Sequence, residues 1–283
     1  MCDTCGCGQP DNFKVINLND SETKQSYEHS HEHIHDGTSH SHTHTHSHSE
    51  DHSHEQAHQH NHEHGTQRVI QMQTDVLQKN NLSAERNRGY FEAKKIFSLN
   101  FVSSPGSGKT SLIEKTIKEL NNEIKFFVIE GDQQTINDAK RIKAVGAPVV
   151  QINTGNGCHL DAEMVNRGIK ELNPSDKSIV VIENVGNLIC PSLFDLGESK
   201  RVVIISVTEG DDKPIKYPNM FQSSHLCIIN KTDLLPYVDF NIEQTKKYAL
   251  QVNHHLEFIE LSVKTGQGID HWYDWLKKQK NIL

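Results

Sequence analysis

Ser103-Ser104-Pro105-Gly106-Ser107-Gly108-Lys109-Thr110 decides the fold of this chain. An apolar run, Phe97 to Val102, leads into it, and Leu112, Ile113, Thr116, Ile117 and Leu120 follow at helical spacing. Strand, glycine-rich loop and helix in that order make a phosphate-binding loop, so the chain is expected to use a nucleoside triphosphate. Gly106 and Gly108 let the backbone curl until N–H groups from Gly106, Ser107 and on through Ser111 point at phosphate oxygens. Lys109 is the residue to neutralise charge on the β- and γ-phosphates, and the Thr110 hydroxyl is the one to hold Mg²⁺. Ser103 stands where the usual pattern begins with glycine.

Beyond the loop the chain alternates. Apolar runs at 124–129, 148–152, 179–182, 202–207, 226–229 and 256–261 are separated by helical patterns at about 110–121, 135–145, 159–172, 241–252 and 267–280. This alternation predicts a doubly wound, mostly parallel α/β sheet with ligands at the carboxyl ends of its strands. Upstream, Val69, Ile70, Met72, Val76, Leu77, Leu82, Tyr90 and Phe91 predict one or two helices over residues 68–96, ahead of a nucleotide domain over 97–283. Residues 9–67 read differently. Fifteen of the twenty histidines fall between His29 and His64, with almost no apolar side chains to offset the entropy of ordering. A disordered segment is expected there, its imidazoles buffering or storing borderline metals.

The chain has 283 residues, 29 of them Lys or Arg and 37 Asp or Glu, for a net charge of −8. Residues 1–67 hold eleven acids against two bases, which leaves twenty-six acids and twenty-seven bases for 68–283. Neither part is basic enough to track a phosphate backbone, which argues against a nucleic-acid partner. No stretch reaches the ~20 apolar residues of a membrane span. The polar, acidic N-terminus does not read as a signal peptide, so a cytoplasmic location is expected.

Asn230-Lys231-Thr232-Asp233 follows the run 226–229, where the Asp233 carboxylate can accept from N1–H and the exocyclic amine of guanine. Adenine lacks that donor pair, so GTP is the expected nucleotide. Ser262 and Lys264, in Ser262-Val263-Lys264-Thr265, fit a second loop closing over the base. Glu183-Asn184-Val185-Gly186 ends the run 179–182: Glu183 can orient a metal-bound water, and the Gly186 N–H can reach the γ-phosphate. Asp132, in Glu130-Gly131-Asp132, offers a further carboxylate for Mg²⁺.

Cysteines stand at 2, 5, 7, 158, 190 and 227. Cys2, Cys5 and Cys7 are too close for ordinary structural disulfides and suit metal better. With a chain amine they could complete a square-planar set for Ni²⁺ or Cu²⁺, while the C-x-x-C spacing also suits tetrahedral Zn²⁺. Cys158 and His159 are adjacent, a pattern that an ordinary structural role also explains, and Cys190 offers a third soft ligand. Cys190 lies four residues after Gly186, a span of at most ~14 Å, so movement at Gly186 must reach it. Cys227 sits in an apolar run and is expected to be a small buried side chain.

These stretches, together with Cys158-His159-Leu160-Asp161, Cys190-Pro191 and Thr208-Glu209-Gly210-Asp211-Asp212, resemble the HypB family, the nickel-incorporation GTPases of nickel–iron hydrogenase maturation. The likeness covers roughly residues 70–280, and Ser103 is a form of the loop that the family uses. It implies GTP hydrolysis, a homodimer favoured by GTP, and Ni²⁺ or Zn²⁺ held at the dimer interface by Cys158, His159 and Cys190; no arginine is obviously poised at the γ-phosphate, so slow intrinsic hydrolysis is expected. It also implies a HypA-like nickel protein and the hydrogenase large-subunit precursor as partners, and in some bacteria SlyD. Lys213 and Lys216 are candidates to reach a nucleotide across the dimer. Two other functions compete with nickel delivery. One is nickel storage with the nucleotide domain as a dimerisation scaffold; the other is the urease accessory GTPase UreG, whose Cys-Pro-His motif is continuous where Cys158-His159 and Cys190-Pro191 are separate here.

Overall fold

Runs of β-branched and aromatic residues between glycine-rich turns give this chain its strands, and amphipathic stretches between them give the helices. The computed structural model describes residues 13–19, 33–35, 38–40, 63–133, 135–155 and 157–280. In chain order the elements are β1 (Lys14–Asn17), β2 (His33–His35), β3 (Thr38–His40), α1 (Glu63–Ala93), β4 (Phe97–Ser103), α2 (Lys109–Leu120), β5 (Phe126–Asp132), α3 (Asn137–Ala144), β6 (Val149–Asn153), α4 (Ala162–Leu172), β7 (Ile179–Glu183), β8 (Lys200–Ser206), α5 (Lys213–Lys216), α6 (Pro218–Gln222), β9 (Leu226–Asn230), α7 (Ile242–Val252), β10 (Glu257–Glu260) and α8 (Ile269–Lys280). Short 3-10 turns cover Cys190–Leu193 and Thr232–Tyr237.

Eight strands form one sheet in the order β1-β6-β5-β7-β4-β8-β9-β10. All neighbours are parallel except β1, which runs antiparallel to β6. The doubly wound sheet expected from the alternation is therefore present. Side chains alternate across β4. Phe97, Leu99 and Phe101 face a core shared with α2, α3 and α8, where the Phe101 and Trp272 rings meet edge to face. On the opposite face lie two apolar clusters. One joins β5, β6 and β7 to α1 and α4; the other joins β8 and β9 to α6 and α7. β4 presents Ser98 and Asn100 from the same alternating set as Val102, and both polar side chains are fully buried. Cys227 is fully buried among the apolar residues of β9, and burial pushes its thiol pKa up.

The disordered segment expected over 9–67 needs correction at one end. Residues 14–17 form β1, with Lys14 opposite Asn153 and Asn17 opposite Val150. The strand forms because Phe13 and Val15 pack on the α4 side of the sheet and the Asn19 side chain accepts from Val149 N at 3.0 Å. Within the histidine tract β2 and β3 pair antiparallel, His33 opposite His40. The lead-in is one continuous helix, α1, rather than two. Among the described residues no helix is long and apolar enough to cross a membrane.

Candidate nucleotide site and thiol cluster

The phosphate-binding loop turns between β4 and α2 on two left-handed glycines, Gly106 at φ 75° and Gly108 at φ 102°. Only glycine fits at 108, because a Cβ there would stand 2.4 Å from Asn230 Nδ2. That amide donates to Ser107 O at 2.8 Å, and Lys231 Nζ donates to Gly106 O at 2.7 Å, so the end of β9 braces the loop. Lys109 is buried and donates to Ser103 Oγ at 2.8 Å, which makes Ser103 the residue that holds the lysine. The buried Ser107 hydroxyl has no hydrogen-bond partner.

Parallel register places Glu130 of β5 directly beside Glu183 of β7. Both are buried, and Glu183 Oε1 accepts from Thr110 Oγ1 at 2.6 Å. Burial raises the pKa of each. For Glu130 the neighbouring Glu183 charge adds to the rise; for Glu183 the Lys109 ammonium opposes it. The Oε2 atoms of both carboxyls are buried without a hydrogen-bond partner. Two carboxyls with spare oxygens beneath a threonine hydroxyl are the donor set a hard cation seeks. Asp132 points elsewhere with part of its carboxylate: its Oδ2 accepts from Thr135 N at 2.8 Å and Thr135 Oγ1 at 2.6 Å.

At the far side of the loop, Asp233 Oδ1 accepts from Ser262 Oγ at 2.6 Å, so the β9 motif and the turn after β10 form one unit. Asn230 Oδ1 accepts from Lys231 N at 2.7 Å and Val263 N at 3.3 Å. Lys264 is exposed on that turn. Gly186 packs against the loop, since a Cβ there would come within 3.2 Å of Pro105. Lys213 Nζ lies 3.2 Å from Glu209 and 3.4 Å from Ser104 Oγ, while Lys216 pairs with Asp212 at 2.7 Å.

Cys158, His159 and Cys190 come together. Their ligand atoms all lie within 4.8 Å of one another, the one such group of three among the described residues. Cys158 Sγ and His159 Nδ1 are 3.7 Å apart. That is close to the ~3.5 Å edge subtended in a tetrahedron by ~2.3 Å metal–sulfur and ~2.0 Å metal–nitrogen bonds. His159 is buried, which lowers its pKa to about 4, so at neutral pH the imidazole is uncharged and keeps a lone pair for a metal. Its ring lies 4.0 Å from that of Phe194, and Asp161 caps α4 immediately behind it by accepting from Met164 N at 2.8 Å. These donors fit a borderline metal ion. Cys2, Cys5 and Cys7 lie outside the described residues, as does most of the histidine tract.

Residues 98–260 match the family described as "CobW/HypB/UreG, nucleotide-binding domain". The hydrogenase maturation factor HypB of Rhizobium leguminosarum is 54% identical over 211 residues, which are 75% of this chain and 71% of that protein. That of Escherichia coli K12 is 51% identical over 214 residues, 76% of this chain and 74% of the relative. This chain belongs to the HypB family. A crystal structure of HypB from Helicobacter pylori in complex with nickel superposes with a TM-score of 0.67 at 36% identity, covering 72% of this chain and 95% of that one. All the stretches that carry the HypB resemblance, from the loop at 103 to Asn230, leave the carboxyl ends of β4, β5, β6, β7, β8 and β9. Glu130, the buried carboxyl beside Glu183, is not singled out by its local sequence. The available signal is its position two residues before Asp132, on the same face of a strand that ends at the loop.

Proposed function

We propose that this chain is a GTP-hydrolysing nickel metallochaperone, which stores nickel and delivers it during nickel–iron hydrogenase maturation with metal release tied to hydrolysis. One observation carries this reading. Glu183, bonded to Thr110 at 2.6 Å, begins a short segment that packs Gly186 on Pro105 and ends at Cys190 in the thiol cluster.

In this reading Gly106, Ser107, Gly108, Lys109, Thr110 and Ser111 hold the phosphates, and Gly186 follows the γ-phosphate. Asn230, Lys231 and Asp233 select guanine, with Ser262 and Lys264 over the base. Thr110, Glu183 and Asp132, with Glu130 alongside, offer Mg²⁺ its oxygen ligands, and the ion supplies charge neutralisation at the β- and γ-phosphates. Lys109 exchanges its bond to Ser103 for a phosphate oxygen. Arg141 reaches Ser111 Oγ at 3.1 Å but is already paired with Glu114 at 2.6 Å and Asp138 at 3.1 Å, which supports slow intrinsic hydrolysis.

Nickel is the cargo. The N-terminal Cys2, Cys5 and Cys7 and the histidine tract collect it. Cys158, His159 and Cys190 hold it, or Zn²⁺, in a GTP-favoured homodimer. Ile189 and Leu193, 62% and 54% exposed on either side of Cys190, give that interface apolar contact area. A HypA-like nickel protein and the hydrogenase large-subunit precursor receive the metal in the cytoplasm, with a SlyD-like protein as a further exchange partner.

The test is nickel affinity measured with GDP and with a non-hydrolysable GTP analogue. A difference of about tenfold, a coupling of ~1.4 kcal/mol, is expected; equal affinities end the coupling and leave the storage reading, in which the nucleotide domain only dimerises.

A further inference from the structure

Asn100, on the second face of β4, belongs to a buried chain that joins the two loops of the thiol cluster. Asn184, at the end of β7, accepts from Leu160 N and from Val185 N, both at 3.0 Å, and donates to Asn100 Oδ1 at 3.4 Å. Asn100 Nδ2 donates to Glu198 Oε1 at 3.0 Å. Glu198 pairs with Arg201 at 2.8 Å, and Arg201 donates through Nη2 to Phe194 O at 2.7 Å and through Nη1 to Ser192 O at 3.4 Å and Ser223 Oγ at 2.9 Å. One end therefore grips the amide next to His159. The other grips the turn that begins at Cys190 and the carbonyl of Phe194, whose ring lies on His159.

Resting on the nucleotide-to-nickel coupling proposed above, we infer that this chain transmits it, with Asn184 as the positioning residue. Asn184 directly follows Glu183, the partner of Thr110, so a change in the Glu183 bond when phosphates arrive moves Asn184 first. Leu160 cannot absorb that movement by sliding. Its side chain already fills the space over Gly131, where a Cβ would meet it at 2.7 Å. Inside a low-dielectric core a hydrogen-bonded chain is stiff, because each broken link leaves a buried group unpaired. The core would be filled as well by apolar side chains of the same shape. What a polar chain adds is a fixed register between β7, the loop at 158–160 and the turn at 190–193.

The experiment uses the full-length chain carrying Cys2→Ser, Cys5→Ser and Cys7→Ser, so that thiolate-to-nickel charge-transfer absorbance reports on Cys158 and Cys190. In this background the nickel affinities with GDP and with the non-hydrolysable analogue should differ about tenfold. Adding Asn184→Ala should reduce the ratio to below about twofold while GDP affinity stays within about threefold, since removing one link of a coupled chain removes the pairwise coupling. Hydrogen exchange at the Leu160 amide should respond to the nucleotide in the background chain and not in the variant. Should Asn184→Ala not fold, Asn100→Ser cuts the same chain one link further on, and the ratio should again fall. A tenfold ratio retained in the folded variant overturns the transmission role and leaves the coupling intact; a ratio of one in the background chain removes the coupling itself, and the transmission role with it.

Discussion

Glu198 and Glu183 are both buried carboxylates close to the same central strand, and the fold treats them in opposite ways. Every oxygen of Glu198 has a partner: Asn100 and the Arg201 guanidinium on Oε1, and Leu196 N at 2.8 Å on Oε2. Burial alone would raise its pKa, but Arg201, Asn100 and the backbone amides outweigh that and hold it at about 2. Glu183 and its neighbour Glu130 have unpartnered oxygens and raised pKa values. A charge that is fully paired builds structure. A charge left short of partners at the mouth of a phosphate loop marks a place where a ligand completes the set.

The largest effect expected from this contrast is in the paired region. Arg201→Leu leaves Glu198 charged, buried and uncompensated, so the chain should lose about 3–5 kcal/mol of stability, read from a urea denaturation midpoint. Adding Glu198→Leu removes the orphaned charge and should recover most of the loss. A single variant as stable as the parent would dissolve the distinction between the two regions.

In the unpaired region the same kind of deletion should harm chemistry and spare the fold. Lys109→Ala removes one cation from a site already short of partners, and should cut GTP hydrolysis by about 10²–10³-fold, the loss typical of one transition-state donor. Its thermal midpoint should shift by no more than ~2–4 °C, the equivalent of about 1 kcal/mol in a domain of this size. A Lys109→Ala protein that unfolds with the Arg201→Leu protein would show that the loop lysine is a structural member instead.

Much of this was legible in the residues. The order of strands and helices follows from apolar periodicity, and Ser103 to Thr110 needs only its neighbours to be read. Cys158, His159 and Cys190 stand out by residue type alone, and they converge in the fold. What was hidden depends on strand order. Glu130 meets Glu183 only because β5 lies beside β7, a pairing between residues fifty-three apart that no local pattern encodes. Asn100 lies inside the apolar run 97–102, and Glu198 and Arg201 stand three residues apart; only the closed sheet makes them one buried group. β1 was concealed for a related reason: a four-residue edge strand inside a polar segment has little periodicity, and its partner β6 is more than 130 residues away.

The smallest effect sharpens the comparison from the other side. The folded-state pKa of Glu130 is raised well above 4.5 by burial and by Glu183. A carboxyl with a raised pKa contributes stability that is fully present below its unfolded value of 4.5 and is lost as pH rises through the folded value. Glu130→Gln removes this titration and the like charge while keeping the shape. The variant and the parent should therefore melt together near pH 4.5 and separate as pH rises, with the variant higher by ~2–4 °C at the alkaline end, about 1 kcal/mol. Mg²⁺ with a GTP analogue should close the gap by drawing the parent carboxyl into its charged form, because a ligand that binds one state preferentially stabilises that state. If the gap is widest at acid pH, or if it ignores the nucleotide, Glu130 belongs with Glu198 as a satisfied structural acid and the division between the two regions fails.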